Sequence, residues 1–244
     1  KLFIQIAIAT LVYLLGVKID VIFNPFGGVF ELGLLSYPIT ILWIVGISNA
    51  INFIDGVDGL AGSVISVNSI TLGIIAVSTI PANPISALIA FILAGSTLAF
   101  LTYNYNPAKI FMGDGGALFA GFLLATLSIA GVMKTATLAI LLPFVILVVP
   151  IMDITFSSLR RIMKGKSPFV ADAEHIHHKL LKAGFSQKNT VAILTSVAIV
   201  GGAIASYSVG SIKHYLVYIC ALVLIMFALS LVNLYNNNNK NKNN

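Results

Sequence analysis

Asn49-Ala-Ile-Asn52-Phe-Ile-Asp55-Gly-Val-Asp58-Gly-Leu60 breaks an otherwise apolar stretch of chain, with one hydrophobic run at 37–54 and the next at 60–80. At ~1.5 Å of rise per helical residue, about 20 apolar residues cross the hydrocarbon layer, so each run can be a membrane span. The polar segment between them is then a turn at a membrane surface. A carboxylate held at the mouth of a helix bundle is costly unless a cation, a hydrogen-bond network or water compensates it. Asp55 and Asp58 stand three residues apart there, and Phe111-Met-Gly-Asp114-Gly-Gly116 opens a further span with a third carboxylate.

Composition agrees with a polytopic membrane protein. The 244 residues are 58% hydrophobic and 9% charged, with a mean hydropathy of +1.00, whereas a soluble domain carries roughly 25% charged residues. Cys220 is the only cysteine, which removes disulfide frameworks and thiolate metal sites. The net charge of +6 does not call for nucleic acid. The basic residues sit in loops beside spans, where topology and anionic headgroups account for them.

The same reading, extended along the chain, gives eight spans at roughly 2–17, 37–54, 60–80, 84–103, 115–132, 135–152, 190–207 and 214–235. The expected fold class is an all-α helix bundle: one transmembrane domain over 1–235, then an Asn/Lys-rich tail, 236–244, whose composition cannot build a core. The first span is short, and Lys1 precedes it with no initiator methionine and no signal-peptide pattern. The chain is therefore expected to start partway into a longer protein. If Lys1 is cytoplasmic, 11 of the 14 basic residues share its side and only Lys18, Lys134 and Lys213 lie outside. The positive-inside rule selects this arrangement. It predicts a multi-pass plasma-membrane protein with the Asp55–Asp58 turn, the 104–114 loop and the 153–189 loop in the cytoplasm. Residues 18–36, with Asn24-Pro25 and Gly27-Gly28, read as a turn-rich outer connection, and 81–84 as a tight outer turn.

Spacing by threes lets Asn49, Asn52, Asp55 and Asp58 form one polar stripe down a helix end, while Gly56 and Gly59 allow a bend or a close ligand. A capping turn would explain one Asp-Gly pair, but it explains the full stripe poorly. Asp114 has two readings, an N-cap of the following helix or a ligand for magnesium, which is shared between a few carboxylates and substrate phosphates. Phe111 is either an ordinary interfacial aromatic or a ring exposed for stacking on a base. The 153–189 loop carries Asp153, then Arg160-Arg161-x-x-Lys164-x-Lys166 and Glu174-His175-Ile-His177-His178-Lys179. Diphosphate recognition by imidazole, guanidinium and ammonium donors is one reading of that loop. A transition-metal site is a second, which no cysteine supports. A solvated basic loop is the third, and it leaves the histidine cluster unexplained. Carboxylates for magnesium, bases for a diphosphate and a bilayer alongside make the layout for phosphoryl transfer onto a lipid phosphate.

Asn49-Ala-Ile-Asn-Phe-Ile-Asp-Gly-Val-Asp-Gly-Leu-Ala61, Phe111-Met-Gly-Asp-Gly-Gly116 and His175-Ile-His-His178 followed by Lys179-Leu-Leu resemble the signature motifs of the polyprenyl-phosphate N-acetylhexosamine-1-phosphate transferases, glycosyltransferase family 4. The likeness is nearest to the bacterial branch making undecaprenyl-diphosphate-GlcNAc for teichoic acid, O-antigen lipopolysaccharide or enterobacterial common antigen. It implies a magnesium-dependent exchange, with manganese as a substitute, on the inner leaflet. An oxygen of undecaprenyl phosphate attacks the sugar-proximal phosphorus of UDP-GlcNAc, and UMP leaves. By this resemblance Asp114 coordinates magnesium, and Asp55 and Asp58 serve the diphosphate-metal site, supported by Asn49 and Asn52. Phe111 stacks on uracil, and His175, His177 and His178 hold the sugar nucleotide; Arg160 and Arg161 join them from the diphosphate reading. The family also carries an upstream Asp-Asp pair and more spans than counted here. No Asp-Asp occurs in this chain, so the chain alone is expected to be inactive, while Ala117, where many relatives have serine, is expected to matter little. The rival enzyme is the phospho-MurNAc-pentapeptide transferase branch, which shares the first two motifs. The rival from another class is a secondary transporter, whose ion-coupling carboxylates would sit near the bilayer midplane. Expected partners are polyprenyl phosphate, a UDP-sugar and the bilayer, with no nucleic acid and with a homodimer left open.

Overall fold

The computed structural model describes residues 1–23, 28–79, 82–133, 141–163 and 175–209. At its centre stands α3 (Leu60–Ser78), with 17 of 19 residues buried. It is buried on every face, and the small polar side chains it carries among its apolar ones, Ser63, Ser66, Asn68, Ser69 and Thr71, are enclosed with the rest. Around it pack α4 (Pro84–Asn104), α5 (Gly113–Ser128) and α9 (Gln187–Val209). α4 starts where Pro84 presets the first helical φ and Asn83 caps it, its Oδ1 accepting the Ser86 N–H at 3.1 Å.

α2 (Ser36–Ile54) lies against α5, and α1 (Leu2–Leu14) against α2. The α2–α5 crossing is close because Gly121 has no side chain. A Cβ there would lie 2.7 Å from Ser48 Cα, so the two backbones could not keep this separation.

Five helical segments among the described residues are long and apolar enough to cross a bilayer: Gly33–Ile54, Leu60–Ser78, Pro84–Asn104, Gly113–Gly131 and Gln187–Tyr207. α1 is apolar but shorter. Five of the eight expected spans are thus matched by such helices. The segment at 214–235 and the tail lie outside the described residues.

Two local readings need correction. The 18–36 connection is not only turns: Val21–Phe23 (β1) and Val29–Glu31 (β2) pair antiparallel, with Val21 opposite Glu31. Where a span was expected to end at residue 152, the chain forms α6 (Leu141–Ile146) and then α7 (Val148–Met163), which runs eleven residues into the predicted loop. Pro150 lacks the N–H that would bond the Ile146 carbonyl, which interrupts the helical ladder at Leu147, while Leu147 and Ile151 keep their own bonds to Pro143 and Leu147 at 2.9 and 3.0 Å. α7 has two faces. Asp153, Ser157 and Arg161, four residues apart, are buried, whereas Met152, Phe156, Leu159 and Met163 are exposed. A short α8 (Ile176–Lys182) follows.

Candidate active site

α2 ends at Ile54, and the turn 55–59 carries the chain into α3 through Gly59 at φ +82°, a left-handed conformation that favours glycine. This turn, the 104–113 loop, the start of α1 and the α7–α8 region gather at one end of the bundle. Asn52, Asp55, Gly56, Val57, Asp58, Asn104, Phe111, Gly113 and Asp114 line a cavity of about 320 Å³ there.

The expected single stripe does not form, because the helix stops before Asp55. Asn49 turns to α1, its Nδ2 donating to Gln5 Oε1 at 3.1 Å. Asn52 Nδ2 donates to Asp114 Oδ1 at 3.1 Å. Asp55 caps the helix end and lines the cavity. Asp58 binds the neighbouring loop: its Oδ2 accepts from Asn106 Nδ2 at 3.1 Å and from the Ala108 N–H at 3.0 Å. Asn104 bridges the same two loops, accepting the Gly59 N–H at 3.0 Å and donating to the Ile110 carbonyl at 2.8 Å.

Asp114 is not an N-cap. That position is Met112, and Asp114 lies in the first turn of α5, where a carboxylate also interacts favourably with the helix dipole. Its carboxylate is ion-paired with the Lys1 ammonium. Burial, and then the negative charge of Asp114, push the Asp55 carboxyl up to about 6. Three carboxylates line the cavity; Asp114 is compensated by Lys1 and Asn52 and Asp58 is hydrogen-bonded to the 104–110 loop, which leaves Asp55 the poorly compensated one of the three. Among the described residues no three His, Cys, Asp or Glu side chains form a metal-binding group. Magnesium needs fewer, since it commonly uses one or two carboxylates and completes its shell with water and substrate phosphates. Asp55, Asp114 and the all-oxygen donor set fit that mode. Phe111 is 77% exposed at the rim, which leaves its ring face open.

The histidines pack beneath this turn. His177 is 1% exposed, and its Nε2 lies where a Cβ on Gly56 would be 2.7 Å away. Burial, and then the like charge of His178, hold its pKa down at about 4, so it is a neutral ring at pH 7 and not the cation expected of a phosphate clamp. His175 stacks on Phe53 at 5.1 Å and on His177 at 5.7 Å, and His178 lies 4.2 Å from His177. Arg161 is on the buried face of α7 and Arg160 on its last turn; neither lines the carboxylate cavity. Lys164, Lys166 and Glu174 lie outside the described residues.

Lys1, Gln5, Asn104 and Asn106 are further neighbours of the site that none of the motifs contains. In the sequence Lys1 marks only topology. The two asparagines had a visible signal, amide side chains at a span end in the same loop as Phe111.

Residues 1–132 match the family model described as Glycosyl transferase family 4. A probable undecaprenyl-phosphate N-acetylglucosaminyl 1-phosphate transferase of Bacillus subtilis (strain 168) is 39% identical over 196 residues, 80% of this chain and 54% of the relative. A decaprenyl-phosphate N-acetylglucosaminephosphotransferase of Mycobacterium leprae is 35% identical over 78% of this chain and 53% of the relative. A phospho-N-acetylmuramoyl-pentapeptide-transferase of Streptococcus suis is 34% identical over 166 residues, 68% of this chain. The chain spans about half the length of the curated relatives it matches.

Proposed function

The chain belongs to glycosyl transferase family 4, and from that premise we propose that it transfers GlcNAc-1-phosphate from UDP-GlcNAc to undecaprenyl phosphate. The observation that carries the reading is the convergence of Asn52, Asp55 and Asp114 in one cavity with the exposed Phe111 at its rim. An oxygen of the lipid phosphate bonds to the sugar-proximal phosphorus, the diphosphate P–O bond to UMP breaks, and UMP leaves with the electron pair. Magnesium, held by Asp114 with Asp55 beside it, supplies charge neutralisation for the diphosphate when bound. Asn52 orients Asp114 through its amide and Phe111 offers a ring face to uracil, while His175 and His178, which do not line the carboxylate cavity, are assigned to the phosphates by the motif they belong to. His177 backs the turn that carries Asp55. Asp58 sets the shape of the cavity by tying the 104–110 loop to the carboxylate turn.

The positive-inside distribution supports a cytoplasmic site in the plasma membrane. Carboxylates at helix ends rather than at mid-span disfavour the transporter. The 39% identity over 80% of the chain to the Bacillus subtilis GlcNAc-phosphate transferase, against 34% over 68% for the Streptococcus suis pentapeptide transferase, favours that sugar over phospho-MurNAc-pentapeptide. Because this chain lacks the Asp-Asp pair, the test uses the chain joined to the family's upstream segment that carries the pair, purified and given undecaprenyl phosphate and each nucleotide sugar in turn. UMP release is expected with UDP-GlcNAc, and release only with UDP-MurNAc-pentapeptide would transfer the protein to the other branch.

A further inference from the structure

Asp153 stands on the inner face of α7, 2% exposed, and both its oxygens face the histidine segment. Oδ1 accepts the Ile176 N–H at 2.6 Å, fixing the first residue of α8. Oδ2 lies 2.8 Å from His175 Nδ1, a close charge contact without an aligned hydrogen bond. Ser157, one turn along α7, brings its Oγ to 3.4 Å from the same nitrogen. The ring is stacked on Phe53 with an interplanar angle of 26°, and Phe53 is two residues from Asp55. The Nδ1 edge of one imidazole thus faces a buried carboxylate and, at hydrogen-bond distance, the Ser157 hydroxyl, while the end of α2 covers its face.

We propose that Asp153 is a positioning residue, holding the His175 ring with its proton on Nδ1 so that Nε2, on the opposite edge, serves the phosphates of the sugar nucleotide. A partner at one ring nitrogen decides the tautomer and thereby what the other nitrogen offers. The purpose of the arrangement rests on the function proposed above, whereas the state of the ring is measurable with no substrate present.

Asp153→Asn separates the carboxylate's two tasks. Oδ1 is already engaged by the Ile176 N–H, so an asparagine keeping that bond must turn its NH₂ toward His175. Nδ1 then becomes an acceptor and the proton moves to Nε2, the wrong-tautomer outcome known for carboxylate–histidine pairs. With ¹⁵N-histidine protein in nanodiscs at pH 8, and His175→Gln to assign the resonance, the neutral His175 ring should carry its proton on Nδ1 in the wild type and on Nε2 in Asp153→Asn. The same tautomer in both overturns the proposal. If the Asn variant does not fold, the wild-type spectrum decides alone, and a proton on Nε2 there also overturns it.

In turnover, Asp153→Asn and His175→Ala should each lower kcat by about 10²-fold or more, with the double variant no slower than the worse single one. Asp153→Glu, which keeps a carboxylate, should recover at least part of the rate. Losses that multiply in the double variant, or a tautomer switch with unchanged kcat, remove the positioning role. Turnover is measured with the upstream Asp-Asp segment present, and an inactive wild type in that form with the Nδ1 proton in place would instead strike the proposed function.

Discussion

Gly56→Ala tests whether the carboxylate turn and the histidine helix pack as one unit. The new Cβ would lie 2.7 Å from His177 Nε2 and 3.4 Å from its Cε1, and the shorter distance is well inside the ~3.5 Å at which heavy atoms attract. His177 has little room to retreat: it is 1% exposed, lies parallel to His175 at 5.7 Å, and meets His178 at 4.2 Å. Gly56 is not among the glycines at positive φ, so alanine fits its backbone and gains about 0.4–1 kcal/mol by restricting the unfolded chain. Overpacking of a filled site costs about 1–3 kcal/mol. The balance is a loss of about 1–2 kcal/mol, measurable by reversible denaturant titration in mixed micelles. His177→Ala makes the room that the new methyl needs. The double variant should therefore be more stable than the sum of the single effects by about 1–2 kcal/mol. Strict additivity would refute the contact and with it the idea that His177 backs the Asp55 turn.

With the upstream Asp-Asp segment present, Asp114→Asn should abolish magnesium-dependent UMP release while the protein stays folded; a loss no larger than the roughly 1 kcal/mol of a helix cap would return Asp114 to a structural role. Because His177 is held at about 4 against an ordinary 6.5, the unfolded chain takes up the proton first as pH falls. Stability present above pH 6.5 should then drop by on the order of 2–3 kcal/mol on the way to pH 4, and His177→Gln should lack that drop, so parallel wild-type and variant curves would contradict it. With Asp55 at about 6, magnesium must displace a proton below that pH, so its affinity should fall roughly tenfold per pH unit there. Calorimetry at pH 5.5 in buffers of different ionisation heat checks this, and binding with no proton release would argue against Asp55 at the metal. Reporter fusions after residues 110, 170 and 240 should all report cytoplasm, with one near residue 28 outside; an outside signal at 170 would split the proposed site across the membrane.

The bundle was legible because a bilayer demands long apolar runs, and runs such as 60–80 and 84–103 announce themselves. α7 was misjudged because hydropathy marks where lipid ends, not where a helix ends. Its continuation was nonetheless written in Met152, Phe156, Leu159 and Met163, spaced four, three and four apart against buried Asp153, Ser157 and Arg161. The β-hairpin had a signal too, Val-Ile-Phe and Val-Phe-Glu flanking a turn, but three-residue strands are too short to stand out. In the site, spacing identified the polar residues and misjudged their directions, since α2 ends at Ile54 and sends Asn49, Asn52 and Asp58 to three different partners. The Lys1–Asp114 pair was invisible because its members are 113 residues apart, a separation at which no periodicity operates.

The bonds from Asn104 to Gly59 and Ile110, and from Asp58 to Asn106 and Ala108, join the two ends of the α3–α4 pair. In terms of biogenesis, the wall of the cavity is also the clasp of a helical hairpin. α3 carries Ser66, Asn68 and Thr71 along its buried length, and Ser66 shares a hydrogen bond with Thr97 of α4 at 2.8 Å. Such a helix is poorly suited to lipid until its partner arrives. Its insertion beside α4 and the closing of the clasp are then one event, and Asp58 reaches its place only when both helices have crossed. A lesion at Asn104 would accordingly register first as a failure of the hairpin to persist in the membrane, before any substrate is met.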